Sequence, residues 1–121
     1  MEAIMAEPLI TESQLAQLLA NGARSAAGED IDPCPVIKLF TPDAGSTWLI
    51  TEADPADPDR LFGLCNLGLG EPELGYVSLS DIQSVRGKLG LPIERDLHFN
   101  AEYRVSLYAK RARDAGRIVT D

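Results

Sequence analysis

Two rhythms of apolar and polar residues run along this chain, a helical one near each end and a period-two one through the middle. Ile10-Thr11-Glu12-Ser13-Gln14-Leu15 carries a full helix-start signal, with Thr11 as N-cap, Gln14 at the capping-box position and Ile10 able to staple against Leu15. Leu15, Leu18 and Leu19 then share one face, and Asn21-Gly22 predicts the exit. Small residues, acids and two prolines between Ala23 and Pro35 predict a loop.

From Val36 the period changes. Val36–Phe40 and Thr47–Thr51 bracket the turn residues 42–46 as a hairpin, Leu61–Leu67 follows a proline-aspartate turn at 54–59, and Gly75–Leu79 follows a glycine-rich stretch. These four runs are joined too closely for parallel crossovers, so the sheet is expected to be antiparallel. Ser80-Asp81-Ile82-Gln83 predicts a short helix from Asp81 to Arg86, and strand character returns over 92–99. Asn100 can cap a last helix whose face is Ala101, Val105, Tyr108, Ala112 and Ala115, closed by Gly116. The whole predicts one α+β domain over 1–121, a mostly antiparallel sheet of four or five strands flanked by N- and C-terminal helices.

The 121 residues suffice for one hydrophobic core without disulfides or structural metal. Cys34 and Cys65 form no ligand-spaced pair and read as free thiols. The opening residues Met1–Pro8 lack a secretory signal and no stretch is long and apolar enough to span a membrane, which points to a cytoplasmic protein without a membrane partner.

Charge adds more. The net charge is −8, and up to Arg60 there are 11 acids against 3 bases, whereas the remainder carries 8 of each. Glu29, Asp30, Asp32, Asp43, Glu52, Asp54, Asp57 and Asp59 face only Lys38 between them, while Arg104, Lys110, Arg111, Arg113 and Arg117 crowd the C-terminal segment. Such a field favours basic partners, including proteins that hold nucleic acid, and opposes phosphate backbones. Asp43, Glu52, Asp54, Asp57 and Asp59 are accordingly candidate partner-binding residues. Tyr103 and Leu107, four apart on the last helix, could add a small contact patch, or simply a second core contact.

Candidate chemistry is sparse. Glu94, Asp96 and His98 alternate with Ile93, Arg95, Leu97 and Phe99, so on a strand they would form one row of metal-ligand or acid–base type. A solvated strand face shows the same alternation. Asp54, Asp57 and Asp59 lack the frame and distal glutamate of a calcium loop. Gly68-Leu69-Gly70 opens no helix that could hold a phosphate. No catalytic set, no bound metal and no cofactor is expected.

Segments 39–49, 62–70, 73–79 and 91–99 together resemble a family of small bacterial proteins of unknown function associated with plasmids and integrative elements. The likeness covers about residues 36–117 and leaves the first 35 outside. It carries no activity or site residue; what it implies is context, an accessory protein of mobile DNA, with host-defence antagonism (restriction or CRISPR) or modulation of a DNA-processing complex as roles. Three functions are thus open. The first is a non-enzymatic acidic interaction protein whose partner is another protein. The second is a metal-dependent hydrolase or nuclease using Glu94, Asp96 and His98, with Asp43 or another acid completing the ligands. The third, ranked lower because of overall charge, is direct nucleic-acid binding by Lys110, Arg111, Arg113 and Arg117.

Overall fold

A computed structural model describes residues 8–120; the opening stretch, read above as free of a secretory signal, falls outside the described residues up to position 7. The element order is α1 (Glu12–Ala26), β1 (Ile37–Phe40), β2 (Thr47–Asp54), β3 (Asp57–Asn66), β4 (Glu73–Ser78), α2 (Leu79–Ser84), β5 (Glu94–Arg95) and α3 (Val105–Ala115). The strands form one antiparallel sheet in the order β4-β3-β2-β1-β5. This is the expected α+β architecture, and the two long helices lie on opposite faces of the sheet.

Period two in β2, broken once by a register shift between Ile50 and Glu52, produces that layering. Trp48, Ile50 and Ala53 join Ile37, Leu39, Leu61, Leu18 of α1 and Ile82 of α2 in one buried cluster. Leu49 turns the other way, with Leu64, onto Val105, Tyr108, Ala109 and Ala112 of α3 and onto Ile118 beyond it. Among the described residues no helix is long and apolar enough to cross a membrane.

The N-terminal signal is realised as written. Gln14 N–H donates to Thr11 Oγ1 (3.1 Å) and Thr11 N–H donates to Gln14 Oε1 (3.0 Å), while Ile10 and Leu15 both pack on the α1-side core. The exit at Asn21-Gly22 is corrected: α1 continues to Ala26, and both residues are buried inside it. The reason lies in the sheet. β1 ends opposite Ile50, so the last residues of β2 lack a strand neighbour on that side, and α1 covers this edge. Asn21 Nδ2 donates to Thr51 O (2.9 Å), and a Cβ on Gly22 would stand 1.9 Å from Ala53 O.

Four further boundaries move for physical reasons. The acidic turn 54–59 is mostly strand: Asp54 pairs with Asp57 and only Pro55-Ala56 turns the chain. Ser78 caps α2 in place of Ser80, accepting from Asp81 N–H. The strand expected over 92–99 is reduced to Glu94–Arg95, because Asp96 bends its carboxylate back to accept from His98 N–H (2.9 Å) and turns the chain out of the sheet. Finally, α3 starts at Val105 without an Asn100 cap. Asp32 reaches in from the distant loop to accept from both Ser106 N–H (3.0 Å) and Ser106 Oγ, supplying the cap in trans. Of the expected face, Val105, Tyr108 and Ala112 are buried and Ala115 is exposed; Gly116 closes the helix at φ 73°.

Candidate functional site

The row of Glu94, Asp96 and His98 does not form, since period two lasts only two residues there. Asp96 and His98 do meet, at the rim of an open polar groove of about 560 Å³ shared with Lys38, Glu102, Arg117 and Thr120; Glu94 does not line it. Lys38 is already committed in this groove, its Nζ donating to Thr120 Oγ1 (2.8 Å) and lying 3.6 Å from Asp96 Oδ2. Among the described residues no three His, Cys, Asp or Glu side chains converge to hold a metal ion. Asp43 lies elsewhere and cannot complete a ligand set with them. Its Oδ2 accepts from Leu89 N–H (2.6 Å) and Leu91 N–H (3.4 Å), and its buried Oδ1 presses on Gly87, where an added Cβ would come within 1.8 Å. Asp43 is a clasp for the 87–91 loop.

Most of the acids between Glu29 and Asp59 are spent in the same way. Asp32 caps α3, Glu29 pairs with Arg24 at 3.3 Å, and Asp57 accepts from Asp59 N–H. Asp59 accepts from Ser78 Oγ (2.6 Å), Ser80 N–H (2.8 Å) and Ser80 Oγ (3.0 Å), so it ties β3 to the start of α2. The Ser78 hydroxyl, then the Ser80 amide, hold the Asp59 carboxyl below its ordinary value. A carboxyl whose folded-state pKa is lowered contributes stability above its unfolded value and loses it as pH falls through the folded one. Acid denaturation of Asp59→Asn should therefore show a weaker pH dependence below the ordinary carboxylate range than wild type; identical profiles would contradict the assignment.

Glu52 and Asp54 have a different environment. The register places Glu52 beside Phe62 and Phe62 beside Tyr76, a row across β2, β3 and β4 on the face that carries Leu64, with Arg60 two residues before Phe62 on that same face. The rings of Phe62 and Tyr76 meet edge to face, with centroids 5.0 Å apart. The Arg60 guanidinium lies 3.8 Å above the Tyr76 ring and its Nη1 is 3.7 Å from Asp54 Oδ2. Gly22, Ser25 and Ala26 at the C-terminal end of α1 close the other side, leaving a cleft of about 210 Å³.

Four features set the electrostatics of this cleft. It holds two carboxylates, two aromatic rings, the negative end of the α1 dipole, and one cation whose charge is already shared between Asp54 and Tyr76. Glu52 has no ion-pair partner among the described residues. Tyr76 is 60% exposed, the reverse of what an aromatic ring in a closed core would show.

A family model described as "Protein of unknown function (DUF2958)" matches residues 9–119. The chain belongs to the DUF2958 family. The match begins ahead of α1, so it takes in the helix that the resemblance over 36–117 leaves out. No curated protein and no solved structure matches the DUF2958 chain.

The remaining sequence candidates sit apart from the cleft. In the DUF2958 chain Tyr103 falls ahead of α3, so it does not share a helical face with Leu107; its ring edge packs on Tyr108 at 5.5 Å and it receives Arg111 at 4.3 Å, so it belongs chiefly to the core beneath α3. Leu107 is 36% exposed. Lys110 lies 4.0 Å from Asp114, which offsets part of the basic stripe. Cys34 is exposed, whereas burial pushes the Cys65 thiol up to about 11; both are free, as expected. Arg60, Phe62 and Tyr76 were missed as site residues. Their signal was an Arg-x-aromatic alternation on one strand answered by a tyrosine on the next, which acquires meaning only with the register.

Proposed function

We propose that this protein is a non-enzymatic binding module that docks a basic segment of another protein in the cleft between α1 and the β2–β3–β4 face. The observation that carries the reading is the Glu52–Phe62–Tyr76 row under Arg60: carboxylates and aromatic rings converge where the only cation among the described residues that line the cleft is already paired. An incoming arginine or lysine would stack on an aromatic face while Glu52 neutralises it. Tyrosine and arginine are also the residues most often found to dominate the energy of protein interfaces. The charge of −8 would steer such a partner in from a distance. In the mobile-DNA context that the sequence resemblance implies, the partner class is a nucleic-acid-handling protein of the host or element, whose own surface is basic. Antagonism of a host defence or modulation of a DNA-processing complex would follow from occupying that surface.

The test uses random hexapeptide pools with arginine, glutamate or alanine fixed at one position, titrated calorimetrically into wild type and Glu52→Gln/Asp54→Asn. The arginine pool should bind at least about tenfold more tightly than the glutamate pool, a difference of about 1.4 kcal/mol, and the double variant should lose that preference. Equal affinity for the three pools, or a preference that survives the double substitution, would overturn the reading.

A further inference from the structure

β4 forms one edge of the sheet, and the opposite edge is β5 with only two residues. Natural edge strands are blunted by lysine, proline, bulges or brevity. β4 has six residues, no proline, no irregularity in its pairing with β3, and a single charge at its first position, Glu73. Among the described residues no strand pairs with its outer side, and on the sheet face opposite Leu74 a Cβ placed on Gly75 would meet no atom within 4 Å. Leu74 is 42% exposed and Tyr76 60% exposed, both on the face that carries Phe62.

We propose that a second copy of this chain adds its own β4 antiparallel to this edge, with the two-fold axis passing through Gly75. The register follows from parity. Directly opposed residues in an antiparallel pair point to the same face, and a two-fold axis perpendicular to the sheet preserves the faces, so the axis must pass through a residue and not between two. Centred on Gly75, Leu74 opposes the partner's Tyr76 and Tyr76 opposes the partner's Leu74. The Phe62–Tyr76 apolar row then continues into the second copy. Glu73 opposes the partner's Val77, so no carboxylate faces another, and the side-chain-free residue occupies the axis. Centring on Tyr76 would instead leave Leu74 against the partner's Ser78. An isologous contact of this kind closes at two copies and joins the two sheets into one of ten strands. An added strand from an unrelated protein would need no such self-complementarity, which is why the second copy is favoured.

The inference does not rest on peptide docking in the cleft; the two surfaces share Tyr76, whereas Leu74 does not line the cleft. Sedimentation equilibrium of the full chain at rising concentration should give a mass that approaches twice the monomer, and Leu74→Lys, whose fold is checked by circular dichroism, should stay monomeric. In a Cys34→Ser background, Gly75→Cys should form an intermolecular disulfide on mild oxidation, because opposed Cα atoms in either type of antiparallel pair are about 4.5 or 5.5 Å apart, within disulfide range. Leu107→Cys, on α3, should cross-link far more slowly. A wild-type chain that stays monomeric overturns the proposal and leaves the edge to a strand of another protein; so does a dimer indifferent to Leu74→Lys, or one in which Gly75→Cys fails to cross-link.

Discussion

Gly22→Ala should destabilise the fold by about 3 kcal/mol, the upper part of what overpacking a tight contact costs. Helix propensity alone predicts the opposite sign, since alanine is better than glycine inside a helix by about 1 kcal/mol. The contact decides between them: the new methyl would stand 1.9 Å from Ala53 O and 2.9 Å from Ala53 C, both backbone atoms of a paired strand that cannot swing aside. α1 would have to lift from β2, weakening the Asn21–Thr51 hydrogen bond and opening the packing of Leu18. Urea denaturation measures the outcome; a variant as stable as wild type would show that α1 does not pack on the β2 edge as described.

Leu64→Ala should cost about 3 kcal/mol and should act first on α3. Leu64 is fully buried, and with Leu49 it provides the strand residues of the cluster under Val105, Tyr108, Ala109 and Ala112. The cluster on the other face, built on α1 and α2, does not use it. Hydrogen exchange should therefore show α3 amides losing protection to a greater degree than those of α1. Equal loss in both helices would mean that the two faces unfold as one unit and that the layered description of the core is too sharp.

What could be read in advance was whatever the chain decides locally. Thr11 and Gln14 are three residues apart, and their reciprocal hydrogen bonds need nothing beyond the first turn of α1. The period-two runs at Val36–Phe40 and Thr47–Thr51 placed β1 and the first part of β2 for the same reason. Asn21-Gly22 was misread because its glycine serves a tertiary approach, not a helix exit, and the carbonyl it approaches is 31 positions along the chain, on Ala53. The Glu94, Asp96, His98 alternation is real in the sequence, but the Asp96 carboxylate captures His98 N–H and ends the strand before the row can form.

The acids taught a similar lesson. Their excess before Arg60 was plain, yet Asp43 finds its partners 46 and 48 positions away and Asp32 finds Ser106 at 74, so their structural employment could not be seen. Of the acids named as partner candidates, Asp43 and Asp59 are clasps, Asp57 bonds within its own turn, and Glu52 and Asp54 reach the cleft. Arg60, Phe62 and Tyr76 join them through strand registers that no local pattern specifies.

Amide-resolved NMR of the chain during titration with tri-arginine, with tri-glutamate as control, tests the account most directly. Saturable shifts should cluster at Ser25, Ala26, Glu52, Asp54, Arg60, Phe62 and Tyr76, weaken with added salt, and be absent with tri-glutamate. Shifts centred instead on Lys38, Asp96 and His98, or spread without saturation over every exposed acid, would contradict it.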